Sequence, residues 1–204
     1  MNIIAHRGLF TDKSEGNSVK AFQEAISAGF GIEIDVRDSL GEIVIAHDLP
    51  IGGESLFSDV LKIPSIQKIC IAINIKSDGM RQKIFDLLKL YSIKNYFIFD
   101  MSGPEAYKLS QMGLKIFSRW SCHEEPSFLS ISQGVWVDCF DETYMTNLRI
   151  RQLLDHKKEL CFVSPELHGY SPYEYWRLIK KYSQRNSISI CTDIPFEANN
   201  FFNL

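Results

Sequence analysis

Short runs of β-branched and aromatic residues recur along the chain, and stretches with the spacing of amphipathic helices lie between them. The runs predict strands at residues 2–6, 31–37, 69–76, 95–100, 115–119, 134–140, 159–166 and 187–193. A ninth extended run, 42–47, follows Ser39-Leu40-Gly41 and is expected to fold back as a hairpin on the second strand. Helical spacing predicts helices at 18–28, with Asn17 as N-cap and Gly29 as stop, and at 79–90, 104–112, 147–157 and 173–182. A stub is expected at 58–61, a short helix at 125–131 and a frayed or partial one at 195–202. Strands alternating with helices imply βα units on a parallel sheet. Eight such strands, with no linker, repeat or low-complexity segment between them, fit one (β/α)8 barrel domain over residues 1–204 better than a doubly wound sheet. Barrels of this kind typically run to about 250 residues, so this one is expected to be a compact TIM barrel with shortened loops.

Composition narrows the function. The 204 residues carry 22 Lys plus Arg against 25 Asp plus Glu, a net charge of −3 with no block of like charge, which argues against electrostatic capture of nucleic acid or of an anionic membrane. No apolar run reaches the roughly 18 residues of a transmembrane segment. The first residues lack a secretory signal, so a cytoplasmic protein is expected. Of five cysteines, Cys70, Cys139, Cys161 and Cys191 sit in apolar runs and read as core residues of a reducing compartment; Cys122, beside His123, reads as a loop residue.

In a barrel, the active site gathers at the C-terminal strand ends. Read to their ends, the expected strands supply His6 and Arg7, Glu33 and Asp35, Asn74 and Lys76, Asp100, Arg119, Asp138, Glu166 and Asp193. Glu33 and Asp35, two apart on one strand, project to the same face. Two carboxylates so close repel unless a cation neutralises them, and oxygen donors suit a hard ion such as Mg²⁺ or Ca²⁺; the alternative is simple alternation on an exposed strand. His6 and His47, each at a strand end with a charged neighbour following, suit a general acid and base. Asp48 is placed to fix the His47 tautomer. Arg7 and Lys76 bring the positive charge that a phosphate requires.

At these residues the sequence resembles the glycerophosphodiester phosphodiesterase family, of the same superfamily as the phosphatidylinositol-specific phospholipases C. His6-Arg7-Gly8, then Asn17-Ser18 with Ala21-Phe22 and Ala25, then Glu33-Ile34-Asp35-Val36, then His47-Asp48 carry the resemblance. Asn74-Ile75-Lys76 stands where that family has Glu-Ile-Lys, Ser55-Leu56-Phe57-Ser58-Asp59-Val60-Leu61 resembles the stretch before its third strand, and Cys191-Thr192-Asp193-Ile194-Pro195 resembles its last strand. The resemblance implies an eight-stranded barrel that cleaves phosphodiesters. It implies His6 and His47 as the acid/base pair, Glu33, Asp35 and the Asn74 position as ligands of a divalent cation (Mg²⁺ or Ca²⁺, with Mn²⁺ a further option), and Arg7 and Lys76 as phosphate contacts. The nucleophile is water or a neighbouring hydroxyl of the substrate, the latter giving a cyclic phosphate as a lyase would.

Three departures accompany the match. Asn74 replaces the third carboxylate, Gly16 stands where the family has Glu, and only 27 positions separate His47 from Asn74, where the family inserts a longer cap. An open mouth is therefore expected. Asp100, Arg119, Asp138 and Glu166, with Trp120 or Trp136 as a stacking platform, are candidate contacts for a polyol or sugar head group; a rim ion-pair network around Arg119 is the alternative. The expected activity is hydrolysis of a small soluble phosphodiester, with a barrel that binds a phosphorylated ligand without cleaving it as the other reading. A peripheral phospholipase is disfavoured for want of an aromatic-basic amphipathic stretch.

Overall fold

The computed structural model describes residues 1–141, 143–185 and 187–203. The expected strands form: β1 (Asn2–His6), β2 (Gly31–Ser39), β3 (Glu42–Ile45), β4 (Ile71–Ile75), β5 (Tyr96–Phe99), β6 (Phe117–Trp120), β7 (Gly134–Val137), β8 (Glu159–Val163) and β9 (Ile188–Thr192). The helices are α1 (Val19–Ser27), α2 (Phe57–Leu61), α3 (Arg81–Leu90), α4 (Gly103–Gln111), α5 (Asn147–Asp155), α6 (Tyr173–Lys180) and α7 (Pro195–Asn203).

The strand order is β5-β4-β2-β1-β9-β8-β7-β6, with β3 paired to β2 off this path. Ile98 in β5 bridges in parallel to Ile116, the residue before β6, and the eight parallel strands with their intervening helices make a (β/α)8 barrel. The chain divides into two compact units. One is Ala5–Ile116, which holds β2 to β5 and α1 to α4; the other takes Met1–Ile4 and the chain from Phe117 onward. Among the described residues, no helix is long and apolar enough to cross a membrane.

Within the first unit, β2 has two partners. Residues from Ile32 to Val36 run parallel to Ile71–Ile75 of β4, while Val36 to Ser39 pair antiparallel with β3. Leu40 and Gly41 both have positive φ, 50° and 82°, the two-residue turn whose twist matches a right-handed ribbon. Ile32, Ile34 and Val36 are fully buried on one face, and Glu33 and Asp35 are turned to the other. Asp35 lies level with Asn74, and Asn74 with Phe99.

Four expectations need correction. Ser18, not Asn17, caps α1: its hydroxyl accepts from Ala21 N–H, because Asn17 sits at φ 56° with its side chain turned to Asp35. Residues 125–131 form turns and no helix, since only isolated bonds such as Ser132 N–H to Phe128 C=O close and Pro126 withholds a donor. The tail is no frayed end: α7 is a nine-residue helix that buries Ala198 and Phe202, with the Phe201 and Phe202 rings packed at a tilt against Trp176. Finally, β8 stops at Val163, because Pro165–His168 winds into a 3-10 turn that carries Glu166 away from the ladder.

Candidate active site

The chain leaves β1 through Arg7 and Gly8, both with positive φ (56° and 89°). A Cβ at Gly8 would lie 2.6 Å from the Ala21 backbone, so this turn requires glycine for its close approach to α1. The turn delivers the Arg7 side chain and backbone N–H to the carboxylates of β2. Arg7 Nε lies 3.0 Å from Asp35 Oδ2, and Arg7 N–H donates to Glu33 Oε2 at 3.3 Å. Asn17 completes the cradle: Nδ2 donates to Asp35 Oδ2 at 2.7 Å and Oδ1 accepts from Asp35 N–H at 3.3 Å. From β4, Asn74 Nδ2 donates to Glu33 Oε1 at 3.1 Å, and Lys76 Nζ lies 3.3 Å from Asp35 Oδ1. His6 Nε2 is 3.9 Å from Glu33 Oε2. Lys76 also lies 3.8 Å from Asp100 Oδ2, at the end of β5.

Glu33 and Asp35 are each 1% exposed and Asn74 7%. Burial pushes the Glu33 carboxyl up to about 7, and the neighbouring Asp35 charge adds to the shift; His6, the Asn74 hydrogen bond and Arg7 oppose it. Two buried oxygens, Asp35 Oδ1 and Asn74 Oδ1, receive no hydrogen bond. Orphaned oxygens of a carboxylate and an amide beside a second carboxylate form a donor set that suits a hard divalent cation. Among the described residues no three His, Cys, Asp or Glu side chains gather as a metal-binding group.

His47 follows β3, and its backbone C=O accepts from Arg37 Nε of β2 at 3.3 Å. Its Nδ1 pairs with Asp48 Oδ1 at 2.9 Å, and the side chain is 48% exposed. The Asp48 carboxyl is lowered, first by the His47 hydrogen bond and charge and then by Arg7 and Arg37.

His6, Arg7, Glu33, Asp35, Asn74, Lys76 and Asp100 thus meet within Ala5–Ile116. The head-group candidates other than Asp100 belong to the second unit and make contacts of their own. Arg119 pairs with Glu124. Glu166 accepts from the hydroxyls of Ser164 and Thr192 and, at 3.1 Å, from Asp193 N–H. Trp120 is buried edge-on to Tyr144, with the Arg149 guanidinium 3.9 Å over the Tyr144 ring; its indole N–H has no hydrogen-bond partner. Asp138 accepts from Cys139 N–H at 3.0 Å and pairs with His168 Nε2 at 2.9 Å. Nothing in the sequence pattern marks His168. It stands thirty positions from Asp138, and only the 3-10 turn at Pro165–His168 returns it to the end of β7.

No family model and no curated protein matches the chain. Solved structures do. A glycerophosphodiester phosphodiesterase from Parabacteroides distasonis superposes with a TM-score of 0.71 at 15% identity, over 99% of this chain and 96% of its own. A glycerophosphodiester phosphodiesterase from Agrobacterium tumefaciens follows at 0.64 and 16%, over 99% and 97%. The phosphoribosyl anthranilate isomerase of Thermus thermophilus reaches 0.51 at 9%, over 99% and 95%. At these identities the likeness is one of fold, and barrels of different chemistry share it.

Proposed function

We propose that the chain hydrolyses a small soluble phosphodiester, a glycerophosphodiester or a polyol- or sugar-linked relative, at the cluster on β1, β2 and β4. The observation that carries this reading is the meeting of Arg7, Lys76 and His6 on the buried pair Glu33 and Asp35. The two solved phosphodiesterases of the same fold support it.

Glu33, Asp35 and Asn74 would hold a divalent cation, Mg²⁺ or Ca²⁺ foremost and Mn²⁺ as a further option. When bound, such a cation draws electron density from a phosphoryl oxygen and offsets the charge that develops on it. Arg7 presents a planar fork and Lys76 a point charge to the remaining phosphate oxygens. Arg7 is already oriented by Asp35, so little ordering of its fork is left for the moment of binding. His6 and His47 move the protons. The Asp48 contact occupies His47 Nδ1 and leaves Nε2 to face the substrate; His6, close to Glu33, is the second proton carrier. One deprotonates the nucleophile and the other protonates the departing alkoxide. We place the reaction in the cytoplasm, a reading that five free cysteines support.

The test is turnover of a panel of glycerophosphodiesters by the purified protein with Mg²⁺, Mn²⁺ or Ca²⁺, followed by phosphorus NMR, which also separates a phosphomonoester product from a cyclic one. Removing the proton carrier in His6→Ala should lower kcat by roughly 10² to 10⁴. Turnover that is absent with every metal, or indifferent to His6, would leave a barrel that binds a phosphorylated ligand without cleaving it.

A further inference from the structure

Lys76 is suspended between two carboxylates. Its Nζ lies 3.3 Å from Asp35 Oδ1 and 3.8 Å from Asp100 Oδ2, while an ammonium bonded to a single carboxylate closes to about 2.7–2.9 Å. No hydrogen bond reaches Asp35 Oδ1, even though the cation stands beside it. The second carboxylate is held in place at a cost. Asp100 has φ 68°, in the left-handed region that a non-glycine residue occupies only when its surroundings compel it.

Those surroundings are visible. Ser102 N–H donates to Asp78 Oδ1 at 3.2 Å, which ties the turn after β5 to the segment after β4. Buried Glu105 accepts from Gly79 N–H at 3.1 Å and pairs with Arg81 at 2.9 Å, fixing the same segment from α4. Ser77 Oγ accepts from Asp38 N–H at 3.2 Å and joins it to β2. Lys76 and Asp100 are thus set against each other by a polar frame that needs neither side chain.

We infer that Asp100 is a positioning residue: by sharing Lys76 with Asp35, it keeps the ammonium from closing on Asp35 Oδ1 and leaves that oxygen open to a divalent cation. Without the Asp100 charge, the lysine collapses onto Asp35 and fills the seat. The same suspension leaves Lys76 bound firmly to neither carboxylate and therefore ready to move onto a phosphate oxygen. This deepens the function proposed above and rests on its cation site.

The experiment is titration calorimetry of Ca²⁺ into the wild type, Asp100→Asn, Lys76→Met and the double variant, with no substrate present. Asn is a good tenant of the left-handed region, so Asp100→Asn removes the charge and keeps the backbone. It should melt with the wild type yet bind Ca²⁺ roughly five- to tenfold more weakly, the scale of coupling within one charge network. In the Lys76→Met background the same exchange should change affinity by about twofold or less, the through-space pull of a screened charge. A crystal structure of Asp100→Asn should show Lys76 Nζ at hydrogen-bond length, about 2.8 Å, from Asp35 Oδ1. Equal affinity in wild type and Asp100→Asn overturns the inference and leaves the cation site standing, as does an equal loss in both backgrounds. A wild type that binds no Ca²⁺ removes the cation site and the inference with it.

Discussion

The side-chain amide of Asn74 donates to Glu33 Oε1 across 3.1 Å, while Asn74 Oδ1, equally buried, meets no donor. The amide thus steadies one carboxylate through its nitrogen and holds its oxygen in reserve. Asn74→Asp would replace that donor with a carboxylate oxygen set against Glu33. Without a cation it should lower stability to urea by about 1–3 kcal/mol. Saturating Ca²⁺ should restore the loss and stabilise the variant further, as any ligand bound only to the folded state does. Unfolding curves indifferent to Ca²⁺ in both proteins would take the cation out of this site.

Glu33 gives the fold a pH dependence of opposite sign to that of an ordinary ion-paired acid. Its carboxyl titrates at about 7 when folded, against an ordinary 4.5, so across this interval the native state keeps a proton that the unfolded chain has released. Its contribution to stability is full below pH 4.5 and is lost as the pH rises through 7, about 3 kcal/mol in all. Urea unfolding at a series of pH values should show this decline, and Glu33→Gln should flatten it.

Gly16 leaves only tight room for a side chain. A Cβ there would lie 3.2 Å from Phe10 Cε1 and 3.3 Å from both Arg7 Cβ and Lys13 O. Gly16→Ala should cost about 1 kcal/mol by crowding, and most of that should vanish in a Phe10→Ala background, a non-additivity that a double-mutant cycle of melting curves measures.

Tyr175 offers a check on packing that is independent of the chemistry. Its hydroxyl is buried with no hydrogen-bond partner, and burial, aided by the charges of Cys139, Asp138 and Cys161, pushes its ionisation well above the usual range. Tyr175→Phe removes the unsatisfied group and should stabilise the protein by about 1 kcal/mol in chemical denaturation. A loss of similar size would mean that the hydroxyl finds a partner in solution.

The barrel was legible because strands and helices differ in period, and buried parallel strands are short, apolar and bounded. Glu33 and Asp35 were legible for the same reason: a spacing of two fixes a common face whatever surrounds it. What escaped depends on relationships between segments. Asn17 looks like a helix cap until Asp35, eighteen positions on, claims its side chain. The bond between Asp138 and His168 requires a 3-10 turn that only Pro165 hints at, and the tie between Lys76 and Asp100 requires a left-handed turn after β5 that aspartate tolerates but does not by itself announce.

The contacts described around Glu33 and Asp35 are made by residues of the unit Ala5–Ile116. They form one interlocked group in which Asp35 by itself touches Arg7, Asn17 and Lys76, so a change at any one of these side chains is felt by the others through a single carboxylate.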